Sequence, residues 1–145
     1  MLEVEPQLIT TYVATGKMRI VVRPLLQTGP DALVAAHAAE CANEQNAFIA
    51  MRSAMYDKQG TLYAADDMPI ALADIAASLD LDRTAFTQCM TSERYNQALY
   101  QGYTRATNAG IVGRPVFELN GQRLVGAQSY ETFQRIIDGL IAAGS

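Results

Sequence analysis

Two cysteines, one histidine and a Gly-Arg-Pro turn are the residues of this chain whose types suit covalent or binding chemistry. Cys41 and Cys89 are its only thiols. Their spacing excludes a Cys-x-x-Cys mechanism, in which a thiolate of lowered pKa attacks and a near neighbour resolves the mixed disulfide. Nor is a metal expected, because no second pair with zinc-like spacing accompanies them and His37 is the sole histidine. The residues alone leave open a bridge between the two cysteines or two buried free thiols. His37 shares a helix face with Val34 and Cys41, and no nucleophile or carboxylate pair frames it, so it reads as a buried, hydrogen-bonded residue rather than a base. Asp66 with Asp67, and Asp80 with Asp82, could be paired carboxylates for acid/base work or calcium, but each pair stands just before a helix, where capping explains it. Tyr95, Tyr100 and Tyr103 could offer a ring-stacking surface, yet Tyr95 and Tyr103 fall on an apolar helix face and read as packing.

The densest local signal is GIVGRPVFELNGQRLVGA, Gly110 to Ala127. Gly110 suits the left-handed position after a helix, and Gly113, Arg114 and Pro115 make a turn that cannot continue one. Val116–Leu119 alternates like a strand, Asn120 and Gly121 are the residues of a type I′ turn, and Gln122–Val125 returns. Arg114 taken alone is a solvated loop arginine, since most such charges stay in water.

The elements that must position these residues follow from periodicity. Leu2, Glu5, Leu8, Ile9, Tyr12 and Val13 recur at helical spacing over roughly 4–14, with Gly16 as the stop. KMRIVVR, 17–23, is apolar and β-branched enough for a buried strand ended by Pro24. Pro30 and Asp31 open a long helix whose stripe runs through Val34, Ala38, Cys41, Gln45 and Phe48, and Gly60 breaks it. Further helices are expected over 68–79, after the Asp80–Asp82 turn with Phe86 and Cys89, and over about 92–109 with Tyr95, Leu99, Tyr103 and Ala106 on one face. Ser129 caps a last helix in which Phe133, Ile136, Ile137, Leu140 and Ile141 keep i, i+3, i+4, i+7 and i+8. This pattern predicts a single α/β domain over 1–145 with a helical insertion over 30–109.

Composition narrows the function classes. The chain has 145 residues, half of them hydrophobic, which suits one well-filled core. A net charge of −4, with 11 Lys and Arg scattered and no basic run, argues against a nucleic-acid partner. No apolar stretch approaches the ~20 residues of a membrane span, and Met1 opens on a polar, helix-like pattern without a signal-peptide core.

Four segments in order, VEPQLITTYVATGKMRIVVRPL, AAHAAECANEQNAF, LDLDRTAFTQCM and GRPVFELNGQRLVGAQSYETF, resemble the DsbA-like thiol-disulfide oxidoreductases of the thioredoxin superfamily. The resemblance implies an α/β thioredoxin-like fold with a DsbA-type helical insertion, and an activity on protein cysteines outside the cytoplasm. It also implies that Pro115 is the family's cis-proline, with Arg114 the residue whose backbone meets a bound peptide. Arg114 departs from the small or β-branched residue usual there. Cys41 and Cys89 correspond to pairs that form a structural disulfide in some members. Met1 aligns inside the family's first helix, so the first strand and the Cys-x-x-Cys that follows it are missing, as from a truncated product. The missing strand lies between 18–23 and Val116–Leu119, which would leave edges lined by Ile20, Val22 and Phe117 and favour a homodimer through them. Three functions follow from the resemblance: an oxidoreductase family member that is redox-inactive alone, a non-catalytic module binding peptide in the cis-proline groove, or a glutathione-dependent DsbA-like transferase or isomerase. No other cofactor and no metal is expected.

Overall fold

Asn120 (φ 46°) and Gly121 (φ 92°) both occupy the left-handed region, as a type I′ turn requires. The turn joins β1 (Val116–Leu119) to β2 (Gln122–Val125), antiparallel, with Val116 opposite Val125 and Glu118 opposite Arg123. The computed structural model describes residues 3–144, and the chain divides into two units, Met1–Val22 with Thr107–Ser145, and Arg23–Ala106.

The first unit packs the hairpin with the two terminal helices. Helix α1 (Val4–Leu8) runs on into a π-helical turn over Ile9–Val13 and stops at Gly16 (φ 72°). Leu2 of the expected stripe lies outside the described residues. Leu8 and Tyr12 are buried against Phe133 and Ile137 of the last helix, with Phe117, Leu119 and Leu124 of the hairpin packed on them. That helix, Tyr130–Ala143, begins where Ser129 accepts a hydrogen bond from the Thr132 amide at 3.3 Å, which satisfies one of the otherwise orphaned first-turn donors. Of the apolar stripe read from the sequence, Phe133 and Ile137 are buried and Ile136, Leu140 and Ile141 half-buried.

Tyr12 donates from its buried ring to Asp138 Oδ1 at 2.8 Å. Burial first, then the Asp138 carboxylate, push its pKa from 10.0 up to about 12. The fold favours the protonated phenol, so its contribution is complete below the unfolded value and is lost as pH rises through that interval. We expect the melting temperature to fall between pH about 10 and about 12, with a shallower fall in Tyr12→Phe. Equal slopes for the two proteins in pH-dependent thermal melts would refute this.

The segment 17–23 is not a strand. Among the described residues the only sheet is the two-stranded β1–β2 ladder. Met18, Ile20 and Val22 are half-buried while Arg19, Val21 and Arg23 are exposed, so the period of two survives without a ladder. β-Branched composition favours extended backbone, but a strand also needs a neighbour for its N–H and C=O groups, and neither β1 nor β2 pairs with this segment.

The second unit is helical: α2 (Pro30–Asn43), α3 (Phe48–Asp57), α4 (Gln59–Leu62), α5 (Met68–Ser78), α6 (Arg83–Ser92) and most of α7 (Asn96–Asn108). Its core is Phe86, Met51 and Leu72, fully buried among alanines at 38, 42, 73 and 76, small residues that let helices approach closely. Asp67 and Asp82 cap α5 and α6, accepting from the Ile70 and Ala85 amides at 3.0 and 2.9 Å. The capping role expected of these two aspartates is the one they have.

The long helix after Pro30 is two helices. Asn46 turns left-handed (φ 60°) between α2 and α3, a conformation asparagine tolerates better than most residues. Gln45, expected on the apolar stripe, sits in that turn, where its Oε1 accepts from the Asp82 amide at 2.8 Å and its Nε2 donates to the Asp82 carbonyl at 3.2 Å. The periodicity ran across the break because both helices face one core. Gly60 does not end a helix either: the junction is Lys58, and Gly60 lies inside α4.

Candidate functional site

The Gly-Arg-Pro turn leads directly into β1. Gly110 is left-handed (φ 74°) past the end of α7, as expected, and the Arg114–Pro115 peptide bond is cis. Pro115 uses its carbonyl inside the hairpin, where the Gly126 amide donates to it at 2.9 Å. The Arg114 side chain is exposed. Val112 and Val125, 74% and 72% exposed, flank the turn with apolar surface, Val125 on the strand opposite Val116.

One arginine that sequence reasoning overlooked links the hairpin to the chain that precedes this turn. Arg123 donates to Glu118 Oε1 from Nε at 3.3 Å and Nη2 at 2.8 Å, and from Nη1 to the Ala109 carbonyl at 3.0 Å. It therefore ties β1 and β2 to the chain just before Gly110. The signal was available, since a two-residue hairpin at Asn120–Gly121 sets Glu118 opposite Arg123.

In the helical unit Cys41 and Cys89 form a disulfide between α2 and α6, each 1% exposed. Both thiols of the chain are thereby consumed. His37, buried at 3% exposure, places Nε2 3.1 Å from the Cys89 carbonyl and Nδ1 2.9 Å from Asn96 Oδ1, and its ring meets Tyr95 edge-on. Its expected hydrogen-bonded role stands. Glu44, at the α2 C-terminus, accepts from Arg94 Nε at 2.8 Å and Tyr95 Oη at 2.5 Å on Oε1, with Arg94 Nη2 on Oε2. The Arg94 guanidinium, and after it Tyr95, hold the Glu44 carboxyl below the usual carboxylate range. Glu44 Oε1 also approaches Cys89 Sγ to 3.6 Å; that sulfur has no proton in the bridge, so this is a close approach and not a hydrogen bond. Sequence reasoning overlooked Glu44 and Arg94, which lie 50 positions apart and meet only through tertiary packing. Arg114 and Pro115 belong to one unit and the disulfide to the other.

A hairpin entered through an X-Pro turn and packed with helices is a thioredoxin arrangement, and residues 1–139 match the family described as Thioredoxin. The chain belongs to the DsbA-like thioredoxin family. Its fold is α/β and thioredoxin-like, with its helices in the majority. This DsbA-like chain is 32% identical over 119 residues to a Salinispora arenicola protein named Na(+)/H(+) antiporter NhaA 1, an alignment covering 82% of the chain and 18% of the relative. It is 31% identical over 143 residues to Na(+)/H(+) antiporter NhaA 3 of Salinispora tropica, covering 97% and 21%. A Rickettsia felis protein carrying the name protein-disulfide oxidoreductase is 26% identical over 134 residues, covering 92% of the chain and 48% of that protein. The chain thus spans between about a fifth and about half of the length of these curated relatives. Among the described residues no helix is long and apolar enough to cross a membrane.

Proposed function

We propose that this chain is a DsbA-like module that holds an extended segment of a protein substrate against the Arg114–Pro115 turn and does not itself exchange disulfides. The observation that carries this is the fate of its sulfur. Exchange needs an accessible thiolate and a resolving thiol, and both cysteines are buried in a single bond between α2 and α6. The turn, by contrast, is presented at the surface with Val112 and Val125 beside it, suited to apolar contact along a peptide strand. A protein named as a disulfide oxidoreductase among its relatives supports cysteine-containing proteins as the partner class.

Redox chemistry bears on the compartment. A structural disulfide persists where thiols are not kept reduced, so the Cys41–Cys89 bond supports an extracytoplasmic location, as does the family. A homodimer through the outer edge of β1 belongs to the same proposal, and light scattering tests it: a clean monomer at micromolar concentration would eliminate it. For the activity, an insulin-reduction assay is expected to give no turnover above background with this 145-residue chain. Turnover abolished by Cys41→Ala would overturn the non-catalytic assignment.

A further inference from the structure

The cluster around the disulfide contains more than a covalent staple needs. His37, Cys41 and Glu44 follow i, i+4, i+7 along α2, which stacks them on one face, and α6 brings Cys89 against them. A nitrogen of His37 and the sulfurs of Cys41 and Cys89 lie within 4.8 Å of one another, all three residues buried. Glu44 Oε1 adds an oxygen 3.6 Å from Cys89 Sγ.

We propose that when the Cys41–Cys89 bond is reduced, His37, Cys41, Cys89 and Glu44 form a tetrahedral site for a thiophilic divalent cation, zinc above all. Two thiolates, an imidazole and a carboxylate are a zinc donor set. A tetrahedral zinc with bonds of about 2.0–2.3 Å holds its ligand atoms about 3.3–3.8 Å apart; the Glu44 Oε1 to Cys89 Sγ approach of 3.6 Å already has that spacing, and the two sulfurs reach it by parting once their bond is reduced. The reductant is a dithiol: it closes to its own disulfide and delivers two electrons and two protons, leaving Cys41 and Cys89 as thiols. Metal entry then displaces those two protons to solvent as two S–Zn bonds form. The resulting centre carries one net negative charge, and the Arg94 guanidinium already paired with Glu44 offsets it. Both His37 ring nitrogens face oxygens, the Cys89 carbonyl and Asn96 Oδ1. Whichever nitrogen turns to the metal, the other keeps an oxygen partner that orients the ring. Glu44, whose side chain is 34% exposed, marks the entry path. The α2–α6 link thereby has two exchangeable forms, covalent in oxidising surroundings and metallic in reducing ones.

The test is a Co²⁺ titration of the full chain, oxidised and after reduction with a phosphine, under argon. The reduced chain is expected to take up one equivalent, with thiolate-to-cobalt charge transfer and intense tetrahedral d–d bands that zinc abolishes, and the oxidised chain none. His37→Gln and Glu44→Gln should each weaken binding by at least about tenfold. Absent bands in the reduced chain, or undiminished affinity in His37→Gln, would overturn the site. If reduction melts the helices, circular dichroism decides: zinc restoring the helical signal supports the site, and zinc leaving it lost overturns it.

Discussion

Reducing the Cys41–Cys89 bond in chelator-treated buffer is expected to lower the free energy of unfolding by about 4 kcal/mol, as is the double replacement Cys41→Ala, Cys89→Ala. The bond closes a loop with a sequence separation of 48, and in the chain-entropy account such a link acts by shrinking the unfolded ensemble. The loop encloses α3, α4 and α5, whose residues Met51, Leu62, Leu72 and Ile75 supply much of the helical core, so the loss falls on the unit as a whole. Urea unfolding followed by circular dichroism, with and without reductant, measures it. A shift equivalent to less than about 1 kcal/mol, well under the usual range for a native bridge, would show that packing alone holds α2 to α6.

Phe133→Ala is expected to cost about 3–5 kcal/mol, the range for a buried phenylalanine cut to alanine. Phe133 is 2% exposed and one of four buried residues in its cluster. Its ring stands edge-on to Phe117 of β1, with centroids 4.9 Å apart at 83°, a geometry that adds to the burial term. The variant therefore loosens the seat of the hairpin as well as leaving a cavity. Ile70→Ala is the control: Ile70 is 57% exposed and its truncation should stay within about 0.5 kcal/mol. Comparable losses in the two variants, read from urea midpoints, would mean that the terminal-helix cluster does not carry this unit's stability.

What could be read from the residue order was whatever depends on near neighbours. The Asn120–Gly121 turn, the caps at Asp67, Asp82 and Ser129, and the stripe of the last helix each place cause and effect within a few positions, and each was legible. KMRIVVR was not, because a strand is a relation between two segments and this one has no partner among the described residues. The break at Asn46 was hidden by a hydrophobic period that both helices share. At the site, Arg114 and Pro115 stood out through turn chemistry, and the cysteines through their scarcity. Glu44, Arg94 and Asn96 were invisible because their roles come from packing across 45 to 59 positions. Arg123 lay between these cases, readable once the hairpin register had been written out.

The three-way hold of Arg123 on Glu118 and the Ala109 carbonyl bears on what a ligand at the proposed site would meet. A flexible loop would have to be ordered at the moment of binding, and that ordering would be subtracted from the affinity. Here the segment from Gly110 to Pro115 is bounded at its entrance by the Ala109 carbonyl, held by the Arg123 guanidinium, and at its exit by the Pro115 carbonyl, which accepts from the Gly126 amide. Its conformational freedom is surrendered during folding, so a peptide of the proposed kind would meet a preorganised edge. In the proposed peptide-holding role, tightness of binding at Arg114 would depend on Arg123, nine positions away.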